Sequence, residues 1–147
     1  MAQLLDTTVC IAGGGPAGIV AGLILARAGI DVVVLEKHAD FLRDFRGDTV
    51  HPSTLNLLDQ LGLGEAAARI DHSELSVLDA VIDGIRLRAV DFTTLPGPHR
   101  YVTLMPQWDL LNMLVEEAQR QPTFRLVLEA TAHSEIQENG RVVGIEA

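Results

Sequence analysis

The chain has 147 residues, 48% of them hydrophobic and 21% charged, the balance of a folded domain with a real core rather than of a disordered chain. A formal net charge of -9 argues against nucleic acid as the main ligand, although local backbone N–H groups in an acidic protein can still hold a pyrophosphate. The single cysteine, Cys10, excludes an intrachain disulfide and, set in the apolar run Val9-Cys10-Ile11-Ala12, is expected to be an inert thiol rather than a nucleophile.

Thr7 to Ala12 reads as a short buried strand, with nothing polar after Thr8. The cluster Gly13-Gly14-Gly15-Pro16-Ala17-Gly18 follows at once. Pro16 to Ala28 then has helical period, with Ile19, Val20, Leu23 and Ile24 apolar and Gly29 as a stop. Asp31 to Leu35 is a second strand, apolar on both faces as a helix-covered parallel strand should be. Strand, glycine turn, helix and strand make a βαβ unit. Phe41 to Val50 is a polar loop carrying Arg43, Asp44 and Arg46. Ser53 is the expected N-cap of a helix over Thr54 to Leu61, and Glu65 to Ile70 is a second short helix.

The pattern changes near Leu75. Leu75 to Ile82 and Ile85 to Val90 read as strands joined at Asp83-Gly84, a hairpin signal. Ile85-Arg86-Leu87-Arg88-Ala89 alternates as a strand with one wet face does. Leu95-Pro96-Gly97-Pro98 is a turn, and Tyr101 to Leu104 is a third strand. Helical period returns over Gln107 to Arg120. Phe124 to Leu128 is a strand, and Thr131 to Ile136 pairs with Arg141 to Ile145 around Asn139-Gly140. The fold class expected is α/β: a Rossmann-like βαβ unit with a parallel sheet and an inserted antiparallel β segment. The last residues stop within a strand pattern, so the chain is expected to be the N-terminal portion of a longer protein.

Each glycine of the G-x-G-x-x-G fingerprint, Gly13, Gly15 and Gly18, has its own task. Gly13 permits the tight turn out of the strand, Gly15 lets a pyrophosphate approach the backbone, and Gly18 lets helix and strand pack closely. Pro16 and Ala17 open the helix, where orphan N–H groups and the helix dipole favour phosphate. Glu36, at the end of the second strand, is placed to accept the hydroxyls of a ribose, and its charge disfavours a 2′-phosphate. The unit therefore predicts NAD or FAD, not NADP, and does not separate those two.

Gly13 to Gly18 with Glu36-Lys37 resembles the flavoprotein form of this fingerprint. Arg46 to Leu63, and Met105-Pro106-Gln107-Trp108-Asp109-Leu110-Leu111, resemble the arginine loop and a later cofactor-contacting helix start of the class A flavin-dependent aromatic hydroxylases, the para-hydroxybenzoate hydroxylase-like family. The resemblance covers the whole chain. It implies FAD as cofactor, with Gly13, Gly15, Pro16, Ala17, Gly18, Glu36, Lys37, Arg46, Gln107 and Ala132 as binding residues. It implies Arg46 at the pyrophosphate and ribityl region, Gln107 hydrogen-bonding the same part, and the backbone of Ala132 at the adenine. It further implies an oxidoreductase in which NAD(P)H transiently reduces FAD and O2 supplies an oxygen to a small, aromatic substrate.

On this resemblance residues 1–73 and 107–147 form an incomplete FAD-binding domain, and 74–106 begin a β-rich substrate domain. The family's two further FAD motifs are not seen, so the 147-residue chain is expected to lack turnover by itself. The alternatives are a flavin halogenase or geranylgeranyl-reductase-like flavoprotein, a piece that binds FAD or merely folds without turnover, and a plain NAD-binding Rossmann protein. No catalytic side chain can be named. The histidines at 38, 51, 72, 99 and 133 have no metal-ligand spacing. The N-terminus lacks a signal-peptide pattern and no apolar run is long enough for a membrane span, so a cytoplasmic protein is expected.

Overall fold

A computed structural model describes residues 4–41 and 48–147. They form two compact units, one over residues up to 41 together with 111–147, the other over 48–110.

The first unit is built on β1 (Val9–Ala12), α1 (Pro16–Arg27) and β2 (Val32–Leu35), followed late in the chain by β8 (Phe124–Val127). These strands form a parallel sheet in the order β1-β2-β8, with Val9 opposite Val32 and Val32 opposite Phe124. Every residue of β2 is buried because it is the central strand with apolar side chains on both faces. Ile19, Leu23 and Ala26 of α1 are buried with it. α1 ends as expected. Gly29 takes a φ of +77°, Gly29 N–H reaches Ala26 O at 2.9 Å and Ile30 N–H reaches Leu25 O at 3.1 Å, the two bonds of a Schellman cap. Gly22 lets α1 lie directly on the sheet: a Cβ there would stand 2.8 Å from the ring of Phe124 and 3.0 Å from Val34.

The second unit contains β3 (Thr49–Val50), α2 (Pro52–Gln60), α3 (Gly64–Ala68), β4 (Ser73–Leu75), β5 (Val77–Ile82), β6 (Ile85–Asp91) and β7 (Val102–Leu104). β7 pairs antiparallel with β3 on one side and β4 on the other. Leu55, Leu58, Leu63, Ala67, Val102 and Met105 are its buried apolar residues. By compactness, residues 48–73 group with the antiparallel strands of this unit, where β3 pairs with β7. α4 (Gln107–Gln119) starts in this unit and runs into the first, where Leu111, Leu114, Val115 and Ala118 are buried. β9 (Ser134–Glu138) and β10 (Arg141–Glu146) close the chain as an antiparallel pair.

Four local expectations are corrected. Ser53 is not an N-cap: His51 is, because Pro52 fits the first helical position and starts α2 earlier. The strand expected from Leu75 divides into β4 and β5, which join different sheets. Strand β9 starts at Ser134, leaving Thr131 to His133 in a loop. The hairpin β5–β6 alternates as read, with Asp79, Arg86 and Arg88 paired on one face, but the opposite face, including Ile82 and Ile85, is also exposed. Both hairpin turns have positive φ at their two central residues, Asp83 and Gly84 and then Asn139 and Gly140, which is what a two-residue turn matched to strand twist requires.

Candidate cofactor site

The glycine cluster connects β1 to α1. Its start is tied to the neighbouring strand, since Gly13 N–H donates to Leu35 O at 2.8 Å. Gly13 has a φ of +115°, open to glycine and strained for any other residue. Gly15 is the N-cap of α1, Pro16 its first residue, and Ile19 N–H to Gly15 O at 3.0 Å is an early helical bond. The N–H groups of Ala17 and Gly18 therefore have no acceptor in a preceding turn. Pro16 and Ala17 are exposed. A Cβ built on Gly15 meets nothing within 4 Å, whereas one on Gly18 would land on the carbonyl oxygen of Gly13. So Gly15 is not demanded by the protein's own packing, and Gly18 is. A phosphate approaching closely at Gly15 fits that difference, and the dipole of α1 adds partial positive charge there.

Glu36 continues β2 toward this loop and is buried, with 3% of its surface exposed. Gly14 N–H donates to its Oε2 at 2.9 Å, and His38 N–H donates to its Oε1 at 3.0 Å. Its backbone is held as well, by Val127 O at one end and Ala130 N–H at the other, both at 2.9 Å. Gly14, which has no task in the sequence pattern, thus carries the link between loop and carboxylate. A Cβ at Gly14 would stand 2.9 Å from the Cβ of Glu36.

Among the expected residues, the first unit brings together Gly13, Gly15, Pro16, Ala17, Gly18 and Glu36. Lys37 follows Glu36 and is exposed. Ala132 is exposed in the loop after β8, two residues beyond the Ala130 N–H that meets Glu36 O. It is thus in a loop, not in the strand anticipated, because β9 begins late. Gln107 is the first residue of α4 and belongs to the second unit. Arg46 lies outside the described residues. Cys10 is half-buried, and burial pushes its thiol pKa up, which disfavours the thiolate a nucleophile needs. Among the described residues no helix is long and apolar enough to cross a membrane.

The second unit has a cavity of about 80 Å³ whose apolar wall includes Leu55, Leu58 and Met105. On its rim His99 Nε2 meets Asp59 Oδ2 at 2.7 Å and His99 Nδ1 meets the Tyr101 hydroxyl at 3.2 Å. Burial, then the neighbouring Glu74, raises the Tyr101 pKa. Among the described residues, none of the predicted site lines this cavity.

This arrangement defines a dinucleotide site of the βαβ type, and comparison with known proteins specifies which. The model of a family described as an FAD binding domain matches residues 6–145. The 6-methylpretetramide 4-monooxygenase of Streptomyces rimosus is 33% identical over 139 residues, covering 95% of this chain and 33% of that protein. The flavin-dependent halogenase armH5 of Armillaria mellea is 40% identical over 97 residues, covering 64% of this chain and 18% of that protein. Among solved structures, PqsL of P. aeruginosa in complex with 2-aminobenzoylacetate superposes with a TM-score of 0.82 at 22% identity, covering 95% of this chain and 38% of that one. The chain belongs to the FAD-binding-domain family, and its cofactor is FAD. It spans about a third of the length of the Streptomyces rimosus relative.

Proposed function

We propose that this chain is the FAD-binding part of a monooxygenase that takes electrons from NAD(P)H, uses O2, and hydroxylates a small aromatic or related molecule. The observation that carries the reading is the joining of the glycine loop to Glu36 through the Gly14 N–H, which prepares a helix N-terminus and a carboxylate side by side. When bound, FAD supplies the redox chemistry, while the protein supplies position and polarity.

The roles of this chain's own residues follow from their chemistry. Gly13, Gly15, Pro16, Ala17 and Gly18 present N–H groups and an open backbone to the pyrophosphate. Glu36 accepts from the adenosine ribose, with Lys37 beside it, and the backbone near Ala132 faces the adenine. Arg46 and Gln107 serve the pyrophosphate and ribityl parts. Residues 1–73 and 107–147 serve the cofactor in this scheme, and 74–106 begin the part that faces substrate. The 147-residue chain by itself is expected to bind FAD without turning over substrate, in a cytoplasmic setting.

The test is to purify the chain, record its absorbance, heat it, and identify the released flavin chromatographically. FAD released in near-stoichiometric amount supports the reading. Preparations that stay colourless after incubation with excess FAD would overturn it. NADH-dependent hydroxylation by the chain alone would overturn the expected lack of turnover. A halogenase is the second reading, favoured by the similarity to armH5. It predicts halide-dependent product from the intact protein, where a hydroxylase gives oxygen insertion without halide.

A further inference from the structure

His38 has no place in the fingerprint, yet it makes the shortest contact of the Glu36 carboxylate among the bonds described above. Its Nδ1 stands 2.6 Å from Oε1, the oxygen that also receives the His38 backbone N–H at 3.0 Å. The Gly14 N–H holds the other oxygen at 2.9 Å. A carboxylate only accepts, so the ring nitrogen facing it is the donor. The backbone of His38 is fixed in turn, because Glu129 N–H donates to His38 O at 3.1 Å. The carboxylate is therefore gripped from two directions, by the glycine loop and by the turn after β2. The His38 side chain is 43% exposed, so removing it empties no core space.

We propose that His38 is a positioning residue of the cofactor site: its ring N–H holds the Glu36 carboxylate in the orientation that receives the adenosine ribose, so the ADP half binds through a carboxylate ordered in advance. The proposal rests on the reading that Glu36 takes the ribose. Without the ring, Glu36 keeps the Gly14 and His38 backbone donors but loses the ring N–H. Ligand binding must then order the side chain, and that ordering cost weakens affinity.

The experiment is calorimetric titration of the full 147-residue chain with ADP, which lacks the flavin and reports on this half alone, with FAD titrated in parallel. His38→Ala is expected to weaken ADP and FAD binding about tenfold, as loss of a hydrogen bond to a charged group does. His38→Asn, whose amide nitrogen reaches the place of Nδ1, is expected to stay within about threefold of the parent. In a Glu36→Ala background, His38→Ala is expected to add nothing, because its effect runs through the carboxylate. A merely structural role would appear instead as a lower unfolding temperature and an equal loss in both backgrounds, and that result overturns the proposal. So does a His38→Asn variant as weak as His38→Ala. If Glu36→Ala weakens binding while His38→Ala does not, only this proposal fails. If Glu36→Ala itself binds ADP like the parent, the reading of Glu36 fails and this proposal fails with it.

Discussion

Gly15→Ala separates what the fold needs from what the cofactor needs. Gly15 has φ -74° and ψ 179°, which alanine adopts without strain. Its Cβ would meet nothing within 4 Å. Two small terms act on stability in opposite directions. Alanine lowers the entropy of the unfolded chain, stabilising by about 0.4–1 kcal/mol. Alanine is also a poorer N-cap than glycine, costing about 0.5–1 kcal/mol. The net change is expected within about 1 kcal/mol, or a shift in Tm of no more than about 4 °C. FAD affinity behaves differently. In the proposed placement the methyl group stands where the pyrophosphate approaches the backbone, and a loss of at least about tenfold, about 1.4 kcal/mol, is expected. Thermal unfolding followed by circular dichroism gives the first quantity, and titration followed by flavin fluorescence gives the second. A variant that binds FAD as the parent does would refute the placement of the pyrophosphate at Gly15. A variant several kcal/mol less stable would refute the claim that only the ligand demands glycine there.

The companion substitutions have their own signatures. Gly18→Ala pushes a methyl into the Gly13 carbonyl, a backbone atom that no rotamer change can move, so a loss of about 3 kcal/mol or more is expected in urea unfolding; an unchanged midpoint would contradict the close packing. Gly22→Ala presses on Phe124 and Val34 at 2.8 and 3.0 Å and is expected to cost about 1–3 kcal/mol, with FAD affinity little changed once the variant is folded. Tyr101 is the chain's one tyrosine, so its titration can be followed alone by tyrosinate absorbance. Burial and then Glu74 raise its pKa, so the folded state holds the phenolic proton more tightly than the unfolded state. Stability from this group is complete below the ordinary value near 10 and is lost as pH rises through the folded value. Tyr101→Phe is expected to flatten the alkaline loss of stability, leaving a share to Cys10, whose pKa is also raised; an unaltered alkaline slope would argue against the shift.

What the sequence determined by itself was local. The βαβ unit was legible because a fully apolar strand, a glycine turn and a helical period stand in immediate succession, and each depends on near neighbours. The end of α1 at Gly29 and the turns at Asp83-Gly84 and Asn139-Gly140 were legible for the same reason, since backbone φ at one or two positions decides them. The start of α2 was misread at Ser53 because the capping preference of serine was weighed ahead of Pro52's fit to the first helical position. Only the tertiary structure decided pairing across distance. That β8 lies beside β2, that β7 joins β3 and β4, and that residues 48–73 group with the antiparallel strands follow from hydrogen bonds between segments tens of residues apart. The cofactor site divides in the same way. Gly13, Gly15, Gly18 and Glu36 are visible as a spacing, because a strand and a helix of ordinary length bring them together. The roles of Gly14 and His38 are not, because they reside in two hydrogen bonds to one buried carboxylate, and such bonds exist only once β2 has carried Glu36 to the loop.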